Sequence, residues 1–324
     1  MNATSARAPV SVVIPTTGRP SAFAAVESAL RQTVPPEEVV VVFDGDPEDW
    51  SLELPESPDV RWVATGRVLG EGPARAVGTS VARGRFVAFL DDDDLWLPRK
   101  LEVQLALAVG RSGSARHVLV GSRALLVDAR GEVQLRLPRR LIGRDESVAE
   151  YLFARRRVRY GESLLYASAL LCDRELALAT PWRHLPIHAD WDWVLRVSCR
   201  GDVEVAMAEE PLALIVETPG SASRSGNWRD SLCWAQASRG LLSDRQWADF
   251  LLCYTAPLAR DGVGRRQALA IARRAVGAGR PGLPALVFFA LSTIGPSRLL
   301  TRLARLLGLV GSRSRLGRRG AGVS

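Results

Sequence analysis

The sequence predicts a doubly wound, mostly parallel, Rossmann-like α/β sheet with a helical carboxy-terminal extension. Two observations carry that expectation. Four short apolar, β-branched runs, Val10 to Ile14, Val39 to Phe43, Val60 to Val63 and Phe86 to Leu90, fall within the first hundred residues. Runs of this kind suit strands buried on both faces. Segments of helical pattern separate them, and strands alternating with helices imply parallel pairing.

Between the first two runs, Ser21 is placed to cap a helix that presents Phe23, Val26 and Leu30 on one side. A second helix fits Pro73 to Arg83, stopped by Gly84, and a third follows Pro98 with Leu101, Leu105 and Leu107. His117 to Val127 and Glu132 to Leu137 read as strands around a turn at Asp128 to Gly131. The arginine-rich stretch Leu137 to Tyr160 reads as a partly mobile loop with one short helix. Asp190 to Arg200 reads as a helix ended by Gly201, Val203 to Ala206 and Leu212 to Val216 as two late strands, and the chain beyond Trp228 as helical. The organisation expected is a unit over 1–225, with halves of about 1–110 and 111–225, and a basic helical region over 226–324.

A chain of 324 residues, 47% hydrophobic and 24% charged, can bury a full α/β core. Lys100 is its single lysine, and it lies in Pro-Arg-Lys-Leu. A P-loop lysine is therefore absent, and Schiff-base chemistry would have to use Lys100 itself. Three histidines without G-x-S-x-G or H-E-x-x-H leave serine-hydrolase and zincin readings without parts. Cys172, Cys199, Cys233 and Cys253 form no C-x-x-C pair and read as reduced thiols of a cytosolic protein. The run Val10 to Ile14 is too brief for a signal-peptide core, so a cytoplasmic location is expected.

Charge is uneven: Thr255 to Ser324 carries 13 arginines against one acid, Asp261. Leu283 to Ile294 is apolar but too short to span a bilayer. Arg298, Arg302 and Arg305 share one helical face, with Leu299, Leu303, Leu306 and Val310 on the other. That is the pattern of a helix lying on anionic lipid, peripheral at the inner face of the plasma membrane. The alternative is a helix packed on the preceding unit, followed by an arginine-rich tail. Nucleic acid is not expected as a partner, because the basic segment lacks aromatic interleaving and a reader motif.

In open α/β sheets ligands sit beyond the carboxyl ends of the strands. The first run ends in Pro15-Thr16-Thr17-Gly18-Arg19, which lacks the G-x-G-x-x-G of a dinucleotide cradle. The second ends in Asp44-Gly45-Asp46, where a carboxylate can accept from a nucleoside base or sugar hydroxyl, or can form an Asx turn. Four consecutive carboxylates, Asp91 to Asp94, leave the fourth run. They repel one another unless a cation offsets them, which argues for Mg²⁺ or Mn²⁺ bridged to a nucleoside diphosphate. Asp92 and Asp94 read as solvated turn or cap residues. Arg75 could meet a diphosphate or form a surface salt bridge. Asp190 could cap the helix it opens. Trp182, Trp191, Trp193, Trp228 and Trp234 suit sugar stacking or core packing, and Arg155, Arg156, Arg157 and Arg159 suit an anionic acceptor or a solvated loop.

Taken in order, Ser11-Val-Val-Ile-Pro15-Thr16, Val41-Val-Phe-Asp44-Gly-Asp46, Gly72-Pro-Ala-Arg75-Ala-Val-Gly78, Phe86 to Pro98 and His188-Ala-Asp190-Trp-Asp-Trp-Val-Leu-Arg196 resemble family 2 glycosyltransferases over residues 9 to 225. The resemblance implies a GT-A fold with a donor half and an acceptor half, and inverting transfer from a nucleoside-diphosphate sugar, UDP-linked, to a hydroxyl acceptor. It implies that Pro15, Thr16, Thr17, Asp44, Asp46, Arg75, Asp91 and Asp92 bind the donor. Asp91 and Asp93 would be the D-x-D pair holding Mg²⁺ or Mn²⁺, with Asp93 the direct ligand, and Asp190 the general base with Asp192 as the fallback. The acceptors it allows are a glycan, a lipid-linked saccharide or a natural product. Ala189 stands where such proteins usually carry a glutamate. No histidine follows the late strands, so Ser221, Ser223 or Arg224 would supply the third phosphate contact. A nucleotidyltransferase and a non-catalytic sugar-nucleotide or membrane-binding module are the rivals.

Overall fold

A computed structural model describes residues 7–51, 57–110, 115–128, 130–216 and 227–294. Nine strands among them form one mixed sheet. β1 (Ala8–Thr16), β2 (Pro36–Phe43), β3 (Val60–Ala64) and β4 (Phe86–Phe89) form from the four apolar runs, the last stopping one residue short at Phe89, and pair in parallel in the order β3-β2-β1-β4. Alternate residues of these strands feed two cores. Val12, Ile14, Val39 and Val41 pack with Val26 of α1 (Ser21–Leu30), whereas Val13, Val40 and Val42 pack with Ala74 of α2 (Glu71–Val81). The two helices thus cover opposite faces. The chain builds β2 and β3 on one side of β1 and β4 on the other, so the topological switch lies between β1 and β4.

Past β4 the pairing changes. β8 (Leu171–Asp173) runs antiparallel between β4 and β6 (His117–Val127), while β9 (Val203–Val216) runs parallel to β6. β7 (Val133–Leu137) completes a hairpin on β6, and β5 (Leu95–Trp96) pairs with the end of β9. α3 (Lys100–Val109), α4 (Val148–Phe153), α5 (Arg174–Ala179) and α6 (Ala189–Ser198) complete this part. The helical extension holds α7 (Trp228–Ala237), α8 (Asp244–Phe250), α9 (Ala256–Val263), α10 (Arg265–Ala278) and α11 (Leu283–Phe289), with π-helical turns at Leu251–Thr255 and Ala290–Ile294. Its Trp234, Phe250 and Phe289 share one apolar cluster with Phe89, Phe153 and Trp193, so the extension and the sheet have a common core.

Several local expectations are corrected. Ser21 does not cap α1, because Pro20 holds the cap position and makes no side-chain bond. The helix is rotated so that Ala22, Ala25, Val26 and Ala29 face the sheet and Phe23 stays 42% exposed, since small residues let the helix approach more closely. The two late strands are one strand: β6 and β9 stay paired through register shifts around Pro211, which lacks the N–H a regular ladder needs. The arginine-rich stretch is pinned. Arg140 grips both oxygens of Glu146 at 2.6 and 2.9 Å, lies 4.6 Å over the Tyr151 ring, and receives the Tyr151 hydroxyl at its carbonyl. Lys100 is fully buried, with Nζ 3.9 Å from the Trp96 ring and bonded to Gln104 Oε1 at 2.6 Å. Burial drives its pKa well down.

Candidate active site

At the switch point the ends of β1 and β4 bring two loops together. The Thr16 hydroxyl donates to Asp92 Oδ2 at 2.6 Å and accepts the Gly18 N–H at 3.0 Å. That tight turn aims Arg19 back across the sheet edge. Its guanidinium grips both oxygens of Asp92 and donates to Asp93 Oδ2 at 3.0 Å. Pro15 is buried and Thr17 exposed. Asp44, at the end of β2, is buried and accepts from the Leu69 and Gly70 N–H groups at 2.7 and 2.8 Å. The carboxylate thereby shapes the loop that delivers α2. Asp46 is exposed and bonds the Glu48 N–H at 3.0 Å.

The four carboxylates are not equivalent, and two differ from expectation. Asp92 and Asp94 are buried rather than solvated, while Asp91 and Asp93 reach solvent. Burial raises the pKa of Asp92 against the bonds from Thr16 and Arg19. Burial, with the nearby Asp91 charge, raises that of Asp94 further. Asp94 accepts from the Ser168 hydroxyl at 2.6 Å and the Val216 N–H at 3.0 Å, tying the end of β9 to the block. The electrostatic case for a metal therefore changes. Arg19 and Arg75 already provide positive charge beside Asp91, Asp92 and Asp93, so the protein's own arginines offset the repulsion.

Arg75 is fully buried, not a surface ion-pair residue. Nη2 bonds Glu71 and, at 2.5 Å, Asp91 Oδ1, and the guanidinium lies 4.7 Å from the Trp182 ring. Nε and Nη1 are buried without a partner among the described residues. Burial opposes the cation, but Asp91, Glu71 and Asp190 together outweigh it and raise the Arg75 pKa. For Glu71, whose side chain reaches solvent, Arg75 pulls the pKa down while the like charges of Asp91 and Asp190 push it up, and the net direction is upward.

Asp190 lies in the first turn of α6, whose cap is His188 in a left-handed conformation, φ 64° and ψ 22°. Instead of capping that helix, Asp190 turns toward the chain before β8, where Oδ2 accepts the Ala167 N–H at 3.0 Å. Burial raises its pKa to about 6, against Arg75 and with Asp91. Asp192 sits elsewhere. It is buried, paired to Arg196 Nε at 2.7 Å, and accepts Trp234 Nε1–H at 3.3 Å. Both of its oxygens are engaged, which leaves Asp190 as the carboxylate that faces Arg75 and Asp91. His188 stacks on Trp191 with centroids 4.8 Å apart, its Nε2 lies 3.0 Å from Ser231 Oγ, and burial lowers its pKa to about 3. Trp182 and Trp193 stack on each other at 4.5 Å inside the core. Ser221, Ser223, Arg224, Arg298, Arg302 and Arg305 lie outside the described residues.

Among the described residues no three His, Cys, Asp or Glu side chains converge to hold an ion. Asp91 and Asp93 alone fit Mg²⁺ or Mn²⁺ only in the mode where one or two carboxylates are completed by waters and phosphate oxygens. Sequence reasoning missed Arg19, Glu71 and Ser168. The parallel pairing of β1 with β4 is the signal for Arg19, because it sets the loop after Thr16 beside the acidic block. The i, i+4 spacing of Glu71 and Arg75 on one helix is the signal for Glu71. No local pattern marks Ser168.

Residues 11–114 match the family described as Glycosyl transferase family 2. It is 29% identical over 211 residues to the amylovoran biosynthesis glycosyltransferase AmsB of Erwinia amylovora, covering 63% of this chain and 67% of that one. It is 33% identical over 101 residues to the UDP-Glc:alpha-D-GlcNAc-diphosphoundecaprenol beta-1,3-glucosyltransferase WfgD of Escherichia coli, covering 30% of this chain and 40% of WfgD. The fold is similar to that of S. aureus TarS 1–349, with a TM-score of 0.52, 13% identity, and coverage of 93% of this chain and 88% of that one. A structure of TarS 1–349 in complex with UDP-GlcNAc superposes with a TM-score of 0.50 at 16% identity, over 82% and 71% of the two chains. The architecture is thus that of GT-A glycosyltransferases.

Proposed function

We propose that this glycosyltransferase is inverting, and moves a sugar from a UDP-linked donor to a hydroxyl of a saccharide acceptor by single displacement. The observation that carries the proposal is the partly exposed Asp190 carboxylate facing Arg75 and Asp91 at the switch-point crevice, where among the described residues it accepts one backbone N–H, that of Ala167. Inversion needs one base and a stabilised leaving group, without a protein nucleophile. Asp190 would accept the acceptor hydroxyl proton as the bond to the anomeric carbon forms. Arg75, buried and bonded to Asp91, would place positive charge behind the carboxylate that meets the diphosphate. Arg19 would shift from Asp93 toward phosphate as the donor enters. Mg²⁺ or Mn²⁺, held by Asp91 and Asp93, would supply charge stabilisation for the departing diphosphate. The UDP-linked donors named for WfgD and found in the TarS complex support UDP here. The diphosphoundecaprenol-linked acceptor in the name of WfgD supports a lipid-diphosphate-linked saccharide among the acceptor classes.

Contact with anionic lipid is part of this reading. No helix among the described residues is long and apolar enough to cross a membrane. The extension nevertheless exposes Val276, Leu283, Leu286 and Val287 beside Arg273, Arg274 and Arg280, which suits an interfacial surface. Calorimetric titration with UDP, with and without Mn²⁺, followed by turnover of UDP-glucose and UDP-GlcNAc by wild type and Asp190→Asn, tests the catalytic part. UDP binding that ignores Mn²⁺ overturns the metal role, and transfer undiminished in the variant overturns the base. Co-sedimentation with phosphatidylglycerol vesicles but not phosphatidylcholine vesicles tests the lipid contact.

A further inference from the structure

One short buried segment touches both acidic elements of the site. The 3₁₀ turn Ala167–Ala169 precedes β8 and is flanked by Tyr166 and Leu170. Ser168 is fully buried. Its hydroxyl accepts the Asp91 N–H at 3.0 Å and donates to Asp94 Oδ2 at 2.6 Å, so it holds the acidic loop at both ends. One residue earlier, the Ala167 N–H donates to Asp190 Oδ2 at 3.0 Å. The turn itself is immobilised from behind: Trp96 Nε1–H bonds the Ser168 carbonyl at 2.8 Å, and Gln104 Nε2 bonds the Ala169 carbonyl at 2.8 Å. Asp91 and Asp190 are 99 positions apart in sequence, yet the positions of both are referred to two consecutive residues of one turn.

The geometry points to a positioning role for this turn: Ser168 and the Ala167 amide set the spacing between the donor-side carboxylates and the base. The inference rests on the glycosyltransferase reading above. Reacting groups misplaced by about 1 Å lose about two orders of magnitude in rate, so a part that fixes this spacing acts on catalysis without touching substrate. Ser168 serves as both acceptor and donor, a combination that alanine cannot supply and threonine can. Ala167 occupies the first helical position, and Tyr166 before it is extended, φ −92° and ψ 141°. Proline is compatible with both conformations, so Ala167→Pro deletes the one N–H that Asp190 receives while leaving the backbone path allowed.

The test uses the full chain with UDP-glucose and Mn²⁺ as probe. Ser168→Ala is expected to lower kcat about 10- to 100-fold, and Ser168→Thr to recover most of it. Ala167→Pro is expected to keep UDP binding and to lower kcat. It also moves the acid limb of the kcat/KM profile up by about one pH unit, because Asp190 loses a bond that favours its ionised form while Arg75, Glu71 and Asp91 still face it. Ala167→Gly, which keeps the N–H, leaves the limb where it was. Wild-type turnover in Ser168→Ala overturns the inference, as does an acid limb unmoved in Ala167→Pro or moved equally in Ala167→Gly. Crystal structures of wild type and Ser168→Ala decide the matter without substrate: an unchanged Asp91-to-Asp190 separation overturns the positioning role. If wild type turns over neither this donor nor UDP-GlcNAc, the reading of the donor is what fails, and that crystallographic comparison still rules on the turn.

Discussion

The proposed base, Asp190, can take a proton only when ionised, and burial raises its pKa to about 6. Activity should therefore rise with pH through about 6, read as the acid limb of kcat/KM. The same burial costs stability. A carboxyl whose folded pKa is raised contributes most to stability below its unfolded value of about 4, and that contribution is lost as pH rises through the folded value. For Asp190 the loss falls between about pH 4 and 6. Asp190→Asn should keep the acceptor for the Ala167 N–H while removing the charge. At pH 8 the variant should melt a few degrees higher than wild type and transfer sugar about 10³-fold more slowly. A lower melting point in differential scanning fluorimetry, or full activity, contradicts this.

At the scale of elements, α2 enters the site through glycines because its first turn lies against the chain near Arg183. A Cβ at Gly72 would fall 2.1 Å from the Arg183 carbonyl oxygen, and one at Gly70, where φ is 98°, would fall 2.2 Å from His184 Nδ1. Gly72→Ala should thus cost about 1–3 kcal/mol in urea unfolding and weaken UDP binding, because it displaces the helix that carries Arg75. An unchanged midpoint would contradict it. The parallel strands were legible because burial on both faces writes itself as uninterrupted valine and isoleucine in β1 and β2. The crevice followed from the strand ends. β8 was not legible: three residues, Leu171–Asp173, carry no period, and their antiparallel place between β4 and β6 is set by contacts far away in sequence. For the same reason the sequence showed Asp190 and the acidic block but not the turn between them. Hydrogen bonds from backbone amides leave no trace in residue type. Arg19 was visible as a residue, yet its role as countercharge depends on two loops meeting in space.

At the scale of the molecule, the apolar cluster joins Trp193 and Phe153 to Trp234 and Phe250, and His188 at the cap of α6 is enclosed by Trp191, Trp234 and Phe250. The sheet and the helical extension should therefore unfold in one calorimetric transition, and two resolved endotherms would show that they are separable. His188 holds a left-handed backbone, which costs about 1 kcal/mol or more and persists only because this packing surrounds it. The buried Lys100 carries a different consequence. With its amine desolvated against Trp96 and no second lysine anywhere in the chain, the native fold presents acylating reagents with no ε-amine to capture. Incorporation of an N-hydroxysuccinimide label at that position would count the moments when the interior opens, making one side chain a chemical clock for the whole domain.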